Sequence, residues 1–440
     1  MKRLLLTFIL CAGFLSAATI DNVTVAQRWP WSQKVGIFYN LTTDAPRQID
    51  VSVFQGDTPV PMPDAAFSGD RHNVTSGSRH IVFDPLLTPY TNRVMTALRF
   101  VLTPREMPPY LIIDLSKPKT DPEQVTWVTA YDLTNSASSY GAWEMGSTFH
   151  TGSEIDPRWE DAVVWTGVTN NTAYKTYKLV MRYIPAGTFQ MGMKSDPWTY
   201  DWWELRMGSH EVTLTKGFYA AVFQTTQGQH VYITNGVSGT FSSSLATSTA
   251  LRNWMNYNYL RGTDLGTNWP VSASVDANSA VGRLRAKTGL ETIDLPTEAQ
   301  WEYACRAGAT GLFHDGSSTL CSTNDLIGET LDLLAWNNHN SGHNYRVPGQ
   351  KMPNGWGLYD TRGNAWELCL DWGGFNGNSY ISENTDPKGR TSGDGRIARG
   401  GSVWASAKYC NCAHRKKYDV STADASNGPT LCYRLFMTVE

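Results

Sequence analysis

Helical periodicity is scarce in this chain, and large aromatic side chains take its place. Of the 17 tryptophans in 440 residues, only Trp29 and Trp31 precede residue 113. With 38 glycines and only 18% charged residues, this points to a loop-rich fold pinned by large side chains rather than a helical bundle. The helices that can be placed are short. Thr297 opens "TEAQWEYACRAG" with a Thr-x-x-Gln capping box, and Gly308 suits its C-terminal stop. Asp276 is expected to begin "DANSAVGRLRAKTG", which ends at Gly289, and Thr226 to begin "TQGQHVYITNG". Within the first of these, Glu298 falls where a carboxylate favours the helix dipole. Trp301, Ala304 and Cys305 share one face, so they are expected in the core.

The first hundred residues read differently. "KVGIFYNLT" (34–42), "QIDVSVFQG" (48–56), "SRHIVFDP" (78–85) and "VMTALRFVLTP" (94–104) alternate apolar and polar and are rich in Val, Ile, Phe and Thr. Short strands at regular spacing predict a small all-β sandwich over 19–112. "TPREMPPYLIIDLSKPKTDPEQ" (103–124) is proline-rich on both sides of one apolar strand and reads as a domain junction. A linker region over 113–177 follows, and a second domain of α+β class over 178–440, opened by the strand and turn of "YKLVMRYIPAGTFQMG".

The chain begins "MKRLLLTFILCAGFLSAATI". Lys2 and Arg3, the apolar run from Leu4 to Leu15, and Ser16-Ala17-Ala18 together read as a secretory signal peptide over 1–18. A secreted or periplasmic mature protein is therefore expected, with no membrane insertion once the signal is removed. Six cysteines then remain, Cys305, Cys321, Cys369, Cys410, Cys412 and Cys432. An even count in an oxidising compartment favours disulfides. The 37 basic and 40 acidic residues nearly balance, which argues against a nucleic-acid partner.

Two stretches carry candidate chemistry. "GLYDTRGNAWE" has the character of an oxygen-ligand loop: Asp360 and Glu367 are hard carboxylates, and Gly363 frees the backbone to turn carbonyls inward, as calcium demands. The same residues also suit a tight turn in which both carboxylates serve backbone amides. "RGGSVWASAKYCNCAHR" (399–415) holds the C-x-C pair Cys410 and Cys412. His339 and His343 sit in the Gly/Asn-rich "NNHNSGHNY", where the helical spacing of a metal-binding histidine pair is not expected.

Five stretches in order, "IPAGTFQMG", "HEVTLTKGFYAAVFQTTQGQHVYIT", "LPTEAQWEYACRAG", "PNGWGLYDTRGNAWELCLDWGG" and "RIARGGSVWASAKYC" running on to "CYRLF", resemble the sulfatase-modifying-factor family, the formylglycine-generating-enzyme domain. The resemblance implies an irregular α+β domain related to the C-type lectin fold. It implies a calcium site at Asp360, Gly363, Ala365 and Glu367, the glycine and alanine giving carbonyls. In members that oxidise a sulfatase cysteine to formylglycine it further implies a Cu(I) site of two thiolates, which soft ligands select. A serine and a tryptophan line their groove, matched here by Ser402 and Trp366.

The copper positions fall on Ala405 and Cys410, so one of the two thiolates is missing. Cys412 is not expected to replace it, because residues two apart on an extended chain share a face without their sulfurs converging on one metal. "CNCAHR" instead resembles the family's non-oxidase members, in which Cys410 would be structural and Arg415 would pair with a carboxylate. The expected function is a secreted binding or structural module, its partner a protein, a peptide such as a sulfatase cysteine motif, or a cell-surface ligand. The alternative is an oxidase acting on sulfatase cysteines with copper and O2, with Cys410, Ser402 and Trp366 in its site.

Overall fold

The computed structural model describes residues 18–27, 32–91, 95, 97–134, 140, 144–145, 163–192, 208–234, 243–262, 274–311, 329–373, 383–390, 392–419 and 430–439. The expected signal peptide lies outside them, save Ala18.

Two sheets face each other in the N-terminal region. A four-stranded sheet has the order Thr19–Gln27, Val35–Thr42, Gly77–Phe83, Phe67–Gly69, and a three-stranded sheet the order Thr58–Pro59, Gln48–Gln55, Leu98–Arg105. The alternation read from the sequence sets which side chains turn inward. In Val35–Thr42, Ile37, Tyr39 and Leu41 are buried while Phe38 is exposed. They meet Ile49, Val53, Ile81, Phe83 and Phe100 in one core, as expected of a sandwich.

The second region is built on a six-stranded antiparallel sheet of order Ile293–Asp294, Phe436–Thr438, Phe218–Ala221, Lys178–Ile184, Tyr110–Asp114, Val125–Val128. Tyr110–Asp114, read from the sequence as part of a junction, is thus an interior strand of this sheet. All five of its residues are buried, Leu111 and Ile113 in one core cluster and Tyr110 and Ile112 in another. A strand covered on both faces reads as a continuous apolar run, which the flanking prolines disguise. A smaller sheet has the order Arg415–Tyr418, Gly395–Arg399, Trp366–Gly373, Leu431–Cys432, its last pair parallel.

Helices are few and capped as their sequences dictate. In Glu298–Arg306 the Thr297 side chain accepts from the Gln300 N–H and the Gln300 side chain accepts from the Thr297 N–H. Thr226 and Gln229 repeat that reciprocal pair at the start of Gln227–Thr234. The third helix starts later than expected, spanning Ala280–Thr288 with Ser279 as its N-cap. Asp276 instead forms a turn before it, its carboxylate accepting from the Asn278 N–H and its carbonyl from the Ser279 hydroxyl. Gly289 ends the helix at φ +76°. Among the described residues no helix is long and apolar enough to cross a membrane.

The capping-box helix is bolted to the smaller sheet by buried charges. Arg415 pairs with Glu298. Arg399 pairs with Glu302 and, at 3.2 Å, with Glu298. Arg306 closes on Glu302 at 2.6 Å. Burial would raise the Glu302 carboxyl, but Arg306 and Arg399 hold it below its ordinary value. The carboxylate partner expected for Arg415 is therefore Glu298.

Candidate functional site

The loop that ends at Glu367 turns through left-handed residues at Gly357, Asp360, Gly363 and Asn364. At Gly363 only glycine fits: φ is +72°, and a Cβ there would stand 2.0 Å from the Trp336 carbonyl oxygen. Asn364 fastens the turn. Its N–H donates to Trp336 O at 2.8 Å, and its side chain accepts from the Arg346 N–H at 2.9 Å.

This turn brings the four expected ligand positions together. The carbonyls of Asp360, Gly363 and Ala365 and the Glu367 carboxylate converge on the Gln224 Nε2 at 3.2, 3.4, 2.9 and 3.0 Å. The Gln224 Oε1 accepts from Asn364 Nδ2 at 3.0 Å. Glu367 is further held by Arg434, at 2.9 Å through Nε and 2.7 Å through Nη2, and by Trp301 Nε1 at 2.7 Å. The remaining Arg434 donors reach the carbonyls of Ala221, Val222 and Tyr359, so every N–H of that guanidinium is used. The Asp360 carboxylate is not among the oxygens around Gln224. Its Oδ2 accepts from the Gly349 N–H at 2.6 Å, and burial pushes its pKa up to about 6.

The Gly-Gly-Ser loop lies against this turn. Gly363 N–H donates to Gly400 O at 2.7 Å and Val403 N–H to Asn364 O at 3.0 Å. The two glycines let the backbone pass over large neighbours: a Cβ on Gly400 would stand 3.1 Å from the Trp301 ring, and one on Gly401 2.5 Å from the Cys410 sulfur. Ser402 is buried, with its Oγ accepting from the Trp404 N–H at 3.3 Å. Ala405 is only half-buried and packs against both main cores. Its N–H donates to Ser402 O at 2.9 Å and its carbonyl accepts from Asn338 at 3.0 Å.

The two sulfurs of the C-x-C pair have different surroundings. Cys410 sits beneath Gly401, and burial pushes its thiol up to about 12 against a hydrogen bond from the Ser402 backbone. The Cys412 sulfur contacts Gly311 O at 3.6 Å and lies near Cys305, whose thiol is pushed up to about 11 by burial. Cys305, Cys369, Cys410, Cys412 and Cys432 are all buried free thiols. Among the described residues the expected disulfide is not formed, although Cys305, Cys369, Cys410 and Cys412 share one core cluster; Cys321 lies outside the described residues.

Trp366 neighbours Glu367 in sequence but turns to the opposite face of the strand, where its ring meets His414 at 5.6 Å and Tyr418 at 6.4 Å. It is buried, like Ser402. The aromatic side chain that reaches the surface here is Trp404, 47% exposed and stacked on His343 at 4.5 Å. His343 has φ +60° in a turn, in keeping with the loop expected around His339 and His343. Trp404 stands in the same motif as Ser402 and was within reach of sequence reasoning; Gln224 and Arg434 carried no such signal.

Comparison with known proteins accords with these motifs. The family described as Sulfatase-modifying factor enzyme 1-like domain matches residues 167–430. Over 143 residues the chain is 36% identical to the formylglycine-generating enzyme of Streptomyces coelicolor, a match covering 30% of this chain and 43% of that protein. Over 138 residues it is 33% identical to the formylglycine-generating enzyme of Mus musculus, covering 30% of this chain and 36% of that protein. The chain thus spans less than half the length of these relatives. A solved structure titled PvdO from Pseudomonas aeruginosa superposes with a TM-score of 0.44 at 20% identity, covering 59% of this chain and 94% of that one.

Proposed function

Because the chain belongs to the sulfatase-modifying-factor family, we propose that it is a secreted member that has set aside the oxidase chemistry and uses its domain as a binding or structural module. The observation that carries this is Ala405. A methyl group stands where the resemblance requires the first of two copper thiolates, and a methyl has no lone pair to offer a metal. Cys412, whose sulfur faces Gly311, is no substitute. The same reading takes the domain as related to the C-type lectin fold and the mature chain as lying outside the cytoplasm after loss of residues 1–18.

The partner is a protein, a peptide or a cell-surface ligand, met at the surface around Trp404. An exposed tryptophan held by stacking loses little freedom on binding and offers a large contact area. The competing reading, an oxidase that converts a sulfatase cysteine with copper and O2, draws on the names of the two relatives and on the retention of Cys410 and Ser402.

Incubating the copper-loaded full chain in air with a Cys-x-Pro-x-Arg peptide separates the two. The binding-module reading expects the peptide back unchanged by mass spectrometry. Aldehyde formed at enzymatic rates overturns it.

A further inference from the structure

We infer that the Asp360–Glu367 turn is closed by the chain's own side chains, with the Gln224 carboxamide nitrogen at the point where the family resemblance puts a calcium ion and Arg434 carrying the compensating charge. The four oxygens lie 2.9 to 3.4 Å from Gln224 Nε2. Calcium takes its oxygens at about 2.3–2.6 Å and wants six to eight of them. Here the centre of the ring is already filled by an NH2 group. Its two protons serve the nearest acceptors, Ala365 O and Glu367 Oε1, and the other two carbonyls sit in its positive field.

The amide orientation is fixed by its other end. Gln224 Oε1 accepts from Asn364 Nδ2. Turning the amide over would set an oxygen against four oxygens and an NH2 against an NH2. The charge is settled as well. Glu367 is the only carboxylate in the ring, and Arg434 holds it through two hydrogen bonds with both groups buried. A divalent ion placed there would face a guanidinium across a carboxylate that is already neutralised, in a site where unbalanced charge is costly. The Asp360 carboxylate is not in the ring: its Oδ2 accepts from the Gly349 N–H, and its Oδ1 is buried without a hydrogen-bond partner.

The test uses the full chain. Wild type is melted in excess CaCl2 and in EDTA, and its bound calcium is measured by elemental analysis after dialysis. Gln224→Ala is melted beside it in EDTA. The inference expects a wild-type melting temperature that is the same in both buffers, no calcium retained, and a Q224A midpoint lower by several degrees. A wild type that keeps one calcium per chain and loses several degrees in EDTA overturns it. So does a Q224A protein that melts like wild type, since the amide would then not hold the turn. Should Q224A fail to fold, the two wild-type measurements still decide.

Discussion

The Gly401 backbone presses on the Cys410 sulfur so closely that a Cβ on the glycine would stand 2.5 Å from Sγ. The same added atom would come within 3.0 Å of the Cys410 Cα and of the Tyr409 carbonyl. Gly401 also has φ +83°. Gly401→Ala therefore combines left-handed strain of about 1–2 kcal/mol with overpacking of about 1–3 kcal/mol. A loss of roughly 2–5 kcal/mol is expected in denaturant titration. A neutral result would mean that the loop moves aside freely.

Cys410 is a buried free thiol, held by packing with no bridge to another cysteine among the described residues. Cys410→Ser puts a hydroxyl into a niche shaped for a thiol, at a cost of about 1–3 kcal/mol if the hydroxyl finds no full partner. Its melting temperature should fall, and added copper should not raise that of the wild type. An unchanged midpoint in C410S would count against the core position.

The ion pair between Arg415 and Glu298 is buried on both sides. Removing Arg415 leaves the buried Glu298 carboxylate with Arg399 alone, at 3.2 Å, to offset it. Arg415→Met should cost up to about 3–5 kcal/mol, while Glu298→Gln combined with Arg415→Met should recover most of it. Additive losses in the double variant would show that the pair does not act as a unit.

How much of this was legible in the sequence follows the range of each interaction. The capping box could be read because Thr297 and Gln300 are three residues apart and satisfy each other locally. The turn at Gly363 could be read because its backbone demand is intrinsic to glycine. The closure of that turn was not legible: Gln224 lies 136 positions from Asp360 and Arg434 lies 67 from Glu367, and nothing local marks either as a partner. Tyr110–Asp114 was misplaced partly for the same reason: of its two ladder partners, Val125–Val128 is near in sequence but Lys178–Ile184 lies beyond a long intervening segment. The expected disulfide is not formed among the described residues, since an even count and an oxidising compartment do not by themselves orient sulfurs toward each other.

Asp371 gives the fold a pH signature. Its Oδ2 accepts from the Glu298 N–H at 2.6 Å, while its Oδ1 is buried without a partner. Burial, aided by the charge on Glu298, pushes its carboxyl up to about 7 from 3.8. A folded pKa above the unfolded one means that the native state holds the extra proton. The stability this contributes is complete below about pH 4 and is lost as pH rises through about 7. Asp371→Asn keeps the acceptor and removes the titration. The stability of D371N relative to wild type should therefore climb between those limits and level off above them; a flat difference would refute the assignment.

The sandwich and the second region meet at a small polar knot. Asp64 accepts from Arg71 at 2.9 Å and from Trp127 Nε1 at 3.0 Å, and the Trp127 ring lies 4.5 Å from that of His72. Burial, with Arg71 beside it, pulls the His72 pKa down to about 3. Its contribution to stability is full above about 6.5 and is lost as pH falls below that. Trp127→Ala removes both the indole donor and the ring. Limited proteolysis should then cut more readily between the sandwich and the second region, and acid should speed it further. Unchanged cleavage would show that other contacts hold the two together.

The functional reading turns on one methyl group, and restoring the thiol tests it directly. Ala405 is half-buried and tied through its backbone to Ser402 and Asn338, so Ala405→Cys adds a sulfur without breaking either hydrogen bond. If the copper site was lost at this position alone, A405C should gain a Cu(I) site that competes with a chromophoric chelator. A405C combined with Cys410→Ser should lose it again, and wild type should show no such competition. Copper that binds wild type as tightly as A405C would mean that Ala405 is not the missing ligand, and the oxidase reading would regain its ground. Two thiolates are what Cu(I) prefers, and only the A405C chain would present them in the places where the family's oxidases do.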